Sequence, residues 1–496
     1  MLDTSYRKDA NDMNFTLMQY FEWYLPDDGS HWDRLKDSAK EIKDMGVDAV
    51  WLPPPTKADN PSNQGYAVYD VYDLGEFDQK GAVRTKYGTR EQLEAAIAAC
   101  KEAGLLVYID LVMNHKAGGD EKETFQAIEV DPEDRGTEIS EPYDIEGYTR
   151  FTFPGRNGKY SKFEWDFTHF VGVDYDAKAD RTSVFKIVGE HKDWSDNVDD
   201  EYGNFDYLMF SDIDYDHPAV KEEMIEWGKW LTDTLDVDGY RLDAVKHIDS
   251  KFIEEFINAV TEHAERDIYF FGEFWNPDVE AKEGFLKDVE FDIDLFDVKL
   301  HYNLFEAANE KENYDLTQIF EGTLVEENPW NTVTFVDNHD TQPGESLESF
   351  VDDWFKQSAY ALILLRQDGY PCVFYGDYYG IDGDYDTEGM AVAIDPLLRA
   401  RHTRALGEQE DYFDHPDTIG WVRFGEEDVE GSGCAVLVSN GLEEGYKKMY
   451  VGELHAGEEW TDFTGTRPDT VTIDDEGYGE FYVDSQSVSV YALPEE

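Results

Sequence analysis

The chain has 496 residues, 41% of them hydrophobic and 15% aromatic, which is material for a large core and more than one domain. It carries 111 acidic against 42 basic residues, a formal charge of −69 that repels phosphates and so excludes nucleic acid and anionic membrane as partners. No apolar run approaches the roughly 18 residues that a membrane-spanning helix needs.

The acids are scattered, as in 280–290, 306–315, 408–417 and 426–430, with no single acidic tail. Self-repulsion on this scale destabilises a compact chain unless salt screens it. The composition therefore predicts a protein adapted to molar salt. Cys100, Cys372 and Cys434 are far apart, odd in number and without metal spacing. Cys100 and Cys372 stand in apolar stretches and read as small buried residues, with no disulfide scaffold. Residues 1–13 are polar, with neither an apolar h-region nor a twin-arginine pair, so a cytoplasmic protein is expected.

Eight strand-like stretches follow in chain order, at 17–23, 47–53, 105–113, 239–242, 268–272, 291–296, 332–336 and 370–375. Each is followed by irregular chain and usually a helix. Thr89, with Gln92 three residues on, reads as a capping box for a helix that Gly104 closes. Pro218 suits the first turn of a helix over 219–235, and 346–365 is amphipathic and then apolar, predicting another. Eight βα units favour a closed (β/α)8 TIM barrel over a doubly wound sheet. After the third strand, about a hundred residues hold many Gly, Asp and aromatics but no strong helix, which predicts an inserted β-rich domain. Beyond about residue 405 the apolar period becomes two, predicting a C-terminal antiparallel β-sandwich. The expected domain limits are 1–113 with 217–404 for the barrel, 114–216 for the insertion and 405–496 for the sandwich.

Four segments, 110–115, 239–243, 272–275 and 335–340, each end an apolar strand with ionisable residues. In a parallel barrel the ends of all strands share one rim. That would gather Asp243, Glu273, Asp340, His115, His339 and Arg241. Acids at strand ends can also bind metals, and Asp110 reads equally well as structural.

The four segments, together with 15–24, 65–77 and 206–218, resemble the signature regions of the α-amylase family of retaining glycoside hydrolases. The likeness is to its liquefying bacterial branch and spans 14–494. It implies endo-hydrolysis of internal α-1,4-glucosidic bonds in starch or glycogen, an α-glucan as the partner molecule, and a monomer. By resemblance Asp243 is the nucleophile, Glu273 the general acid and Asp340 the third carboxylate, which holds sugar hydroxyls. His115 and His339 would bond the same glucosyl unit and Tyr66 would stack under it. Lys246, His247 and Trp275 would line the leaving-group side. Calcium is implied at Asn114, Asp193, Asp206, Asp212 and the His247 carbonyl, and hard carboxylate oxygens suit that ion. A second cation near Asp214 and Asp216 is in doubt, because Val171 stands where the resemblance calls for Asp.

The residues themselves fit such chemistry. Acetal cleavage needs a proton donor on one side of the sugar and a carboxylate on the other, about 5–5.5 Å apart in retaining enzymes. Arg241, two residues before Asp243 on one strand, shares its face and is expected to lower its pKa. Glu273, after an apolar strand, is expected to have a raised one. Two alternatives remain at this level: a family member that transfers or trims short glucosyl chains, and a non-catalytic sugar-binding relative on the same fold. Folding and activity should require roughly molar salt; full activity after dialysis into dilute buffer would contradict the charge argument.

Overall fold

The computed structural model describes residues 14–190 and 192–494; the polar segment 1–13, on which the expectation about a leader rests, lies outside the described residues. Eight parallel strands close into a barrel: β1 Leu17–Gln19, β2 Ala49–Leu52, β3 Leu106–Leu111, β4 Gly239–Leu242, β5 Tyr269–Gly272, β6 Asp294–Phe296, β7 Thr332–Phe335 and β8 Tyr370–Phe374. Each strand pairs with its chain neighbours, and Leu17 closes the ring by pairing with Cys372 on β8 and Ala49 on β2. Nearly every strand residue is buried. Burial on both faces explains why these strands read as continuous apolar runs rather than alternations.

Each stretch read as a strand contains one, but the observed strands are mostly shorter. The chain beyond Gln19 and beyond Phe335 leaves the ladder to form the rim. The helix Arg90–Ala103 has the expected capping box, with Thr89 accepting from the Gln92 backbone and Gly104 left-handed at the end (φ 82°). The helix Pro218–Leu235 begins at its proline. One expectation fails: the helix read over 346–365 covers only Asp353–Leu364. Residues before it stay irregular because their backbone is used elsewhere. The Ser349 amide donates to the Thr341 carbonyl (3.0 Å) and the Val351 amide to the Asp337 carboxylate (3.3 Å).

Between β3 and the helix at Pro218 lies an antiparallel sheet built mainly from Glu121–Asp131, Tyr143–Arg150, Phe170–Asp176 and Arg181–Ile187. It is anchored to the rim where Ser211–Ile213 pairs with His115–Lys116. Beyond the barrel, a six-stranded sheet and the hairpin Gly445–Tyr450 with Tyr478–Val483 share a second core of Val422, Ala435, Leu437, Met449, Phe481 and Tyr491. The alternate residues Trp421, Val436, Val438 and Val490 join the barrel core instead. The period of two thus serves two interfaces at once. Cys100, Cys372 and Cys434 are all free and buried, and among the described residues no helix is long and apolar enough to cross a membrane.

Candidate active site

The register of the barrel brings the rim residues to one level. Arg241 on β4 pairs with Asp110 on β3 and Phe271 on β5. The ladder continues past the strands: the Asp243 amide donates to Leu111 O and the Glu273 amide to Leu242 O, each at 3.0 Å. Ala244 then adopts a left-handed conformation (φ 52°), turning the chain sharply away after Asp243.

Arg241 is the centre of the site. Its side chain is 1% exposed, with the guanidinium 5.1 Å from the centroid of the Trp51 ring. Nη1 donates to both oxygens of Asp110 (2.9 and 3.0 Å) and to Asp243 Oδ1 (2.6 Å), and Nη2 donates to Glu273 Oε2. Asp110 is held further by the Tyr66 hydroxyl (2.9 Å) and the Trp51 indole (3.1 Å). One positive charge therefore serves three buried carboxylates, and Asp340 is a fourth close by.

That ratio sets the electrostatics. Burial raises the pKa of Asp110 to about 7 against the pull of Arg241. It raises Glu273 and Asp340 too, each pushed further by neighbouring carboxylates. Asp243 also lies above its usual range, because burial outweighs Arg241. The expectation of a lowered Asp243 pKa is thus incorrect: Arg241 does pull it down, but burial outweighs that pull. The charge of Asp243 raises Asp110, Glu273 and Asp340, and the repulsion is mutual. Arg241 contacts Asp110, Asp243 and Glu273 directly, so these carboxyls titrate as one coupled group rather than singly.

These groups open into a cleft of about 840 Å³ whose lining includes Tyr66, His115, Asp243, Glu273, His339 and Asp340. Burial holds His115 neutral, with a pKa near 4, while its Nε2 bonds Tyr66 O (2.8 Å). Burial holds His339 well below its usual range; its Nε2 lies 3.3 Å from Asp340 and its Nδ1 3.0 Å from Gln19 Nε2. The Tyr66 ring stacks on His339 (5.1 Å, 8°) and on Trp23 (5.8 Å, 10°).

In the same cleft, Lys246 Nζ donates to Glu201 (2.7 Å) and to Trp275 O (2.9 Å), and Trp275 donates to Tyr302 (3.2 Å). His247 is buried with its ring bonded to Phe205 O (2.6 Å). Trp23 and Glu201 were not picked out from the sequence. Trp23 ends the first strand-like stretch and could have been found by the rule that named the other rim residues. Glu201 lies in the insertion, where no period marks it.

The residues expected to hold calcium are partly assembled. Asn114, Asp206 and Asp212 are buried, and Asp212 Oδ2 has no hydrogen-bond partner among the described residues. Burial lifts Asp206 to about 7 and Asp212 well above the usual carboxylate range. Asp193 stands at the edge, its side chain 76% exposed and paired with Lys186 (3.3 Å). Among the described residues no three ligating side chains form a ready-made metal cage. An orphaned carboxylate oxygen among buried hard donors nevertheless fits a calcium ion. Near the second expected cation, Lys192 contacts the Asp214 carboxylate, and Val171 lines the small cavity shared with Asp214, Asp216 and Asp249.

The model of the "Alpha amylase, catalytic domain" matches residues 32–405 and that of the "Alpha-amylase C-terminal" domain matches 437–492. The chain belongs to the α-amylase family. It is 50% identical over 482 residues to a glucan 1,4-α-maltohexaosidase of Bacillus sp. (strain 707), covering 97% of this chain and 93% of that one. It is 44% identical over 494 residues to the cytoplasmic α-amylase of Escherichia coli (strain K12), covering 97% and 99%. A crystal structure of an Anoxybacillus α-amylase shares the fold at a TM-score of 0.66 and 18% identity, covering 98% of this chain and 99% of that one. This α-amylase family member should respond sharply to loss of its central cation. Arg241→Met leaves buried carboxylates without a partner and should lower stability by about 3–5 kcal/mol. Denaturant unfolding measures this, and a change under about 1 kcal/mol would contradict the shared-cation reading.

Proposed function

We propose that the protein is an endo-acting α-amylase that hydrolyses internal α-1,4-glucosidic bonds of starch and glycogen by retaining double displacement. The observation that carries this reading is the Arg241 guanidinium, which grips Asp243 and Glu273 together at the floor of the cleft. In the proposed course, protonated Glu273 gives its proton to the glycosidic oxygen. Asp243 attacks the anomeric carbon and the bond to the leaving chain breaks, forming a glycosyl-enzyme. Glu273, now a carboxylate, takes a proton from water, which displaces Asp243 and leaves the anomeric configuration retained.

Asp340, with His339, would hold hydroxyls of the reacting sugar, His115 would bond its other edge, and Tyr66 would supply an apolar platform beneath the ring. Lys246, His247 and Trp275 would bind the leaving chain. The depth of burial supports this division, since a dry site strengthens each of these polar contacts.

A calcium ion would be held by Asn114, Asp206, Asp212 and the His247 carbonyl, with Asp193 turning inward to join them. It would neutralise acids that otherwise repel one another at the seam between the barrel and the insertion. A second cation near Asp214 and Asp216 would have to displace Lys192, so one calcium per chain is the simpler arrangement. The domain limits 1–113 with 217–404, 114–216 and 405–496 belong to the same reading. So does function in strong salt, which rests on the net charge of −69, and so does a monomer in the cytoplasm, the compartment given in the name of the Escherichia coli relative.

Asp243→Asn and Glu273→Gln should each reduce reducing-sugar release from starch by about 10²-fold or more with unchanged melting temperature. Near-normal turnover in either would overturn the assignment, and slow viscosity loss in the wild type would overturn internal cutting. Chelation should lower the melting temperature and added calcium should restore it; no shift in molar salt would remove calcium from the account.

A further inference from the structure

Behind the loop that presents His339 and Asp340 lies a charged cluster that does not line the cleft. Lys356, Asp337 and Asp377 are each 2% exposed or less. Lys356 Nζ contacts Asp377 Oδ1 at 2.5 Å and Asp337 Oδ2 at 3.2 Å, and it lies over the Phe350 ring. The Tyr360 hydroxyl donates to Asp377 Oδ2 (2.6 Å) and accepts from the Phe374 amide (3.2 Å). The cluster thus ties the helix Asp353–Leu364 to the ends of β7 and β8. Stability alone does not explain it, because apolar residues of similar volume commonly serve a fold as well as a buried ion cluster.

From this cluster a continuous path of hydrogen bonds leads to the active site. Asp337 Oδ1 accepts from the Thr341 hydroxyl (3.1 Å), and that hydroxyl oxygen accepts from the Asn338 amide (3.0 Å). Asn338 Oδ1 in turn accepts from the amides of Asp340 (2.8 Å) and Thr341 (2.9 Å). Thr341 is fully buried, and its hydroxyl, which also lies 3.4 Å from Asn338 O, links the anchored Asp337 to the turn bearing Asp340.

We propose that Thr341 is a positioning residue for Asp340, acting from the fixed anchor of the buried Lys356–Asp337–Asp377 cluster. The inference rests on the reading of Asp340 as the third carboxylate of the reaction. Removing the hydroxyl while keeping the volume frees the turn to relax, and a displacement of about 1 Å at a reacting group costs up to about 10²-fold in rate.

The test compares Thr341→Val, Thr341→Ser and Asp340→Asn with the wild type for kcat, KM and melting temperature, in strong salt with calcium. Thr341→Val should lower kcat by about 10–100-fold with KM within about twofold, and Thr341→Ser, which keeps the oxygen, should stay within about threefold. A merely structural residue would lower the melting temperature and leave kcat per folded molecule unchanged; that result overturns the inference. Activity retained in Asp340→Asn would instead remove the reading of Asp340, which separates the two failures. Should Thr341→Val fail to fold, Asp377→Asn, which keeps the Lys356–Asp337 pair, carries the test: a several-fold fall in kcat supports the anchor and an unchanged kcat overturns it.

Discussion

The guanidinium of Arg241 is shared by Asp110, Asp243 and Glu273 inside a closed barrel, and the arrangement of the site depends on that sharing. Ionising every carboxylate would leave a large uncompensated charge in a buried site, which is far more costly than holding protons there. Burial therefore raises the carboxyls of the cluster above their usual range. Asp243 is gripped by Arg241, which pulls its pKa down against burial. Glu273 and Asp340 feel each other and Asp243. A fold that places several acids around one cation thus couples their protons, and the proposed roles require that Asp243 be the ionised partner and Glu273 the protonated one.

The barrel supplies the precision. Parallel register sets Arg241 level with Asp110, and the ladder carried past β4 and β5 fixes the backbones of Asp243 and Glu273 by amide bonds at 3.0 Å. The remaining parts arrive on loops, and each loop is braced. Tyr66 is tied by its hydroxyl to Asp110, His115 to the Tyr66 carbonyl, and His339 to Gln19. One set ties Tyr66 and His115 to β3 and another ties His339 to β1, and within each the loss of one member leaves another unsatisfied.

Much of this was legible in the sequence. All eight strands announce themselves as apolar runs, and the rim residues follow from where those runs end. The capping box at Thr89 and the proline at Pro218 were readable because they are local. The helix before Asp353 misled because its amphipathic pattern is genuine, whereas its backbone is consumed by Thr341 and Asp337, tertiary partners that no local pattern reveals. The pKa of Asp243 misled for a related reason. Its neighbour Arg241 could be read from the spacing, but not the depth of burial that outweighs it. Lys192 on Asp214 and Lys356 between two aspartates are likewise pairings of distant residues.

The central claim is the proposed division of roles, which requires an ionised Asp243 and a protonated Glu273 before the reaction. Neutron diffraction from deuterated crystals at neutral pH reads this directly. The account predicts a deuteron on the Glu273 carboxyl and none on Asp243. A deuteron on Asp243 with Glu273 bare would contradict it.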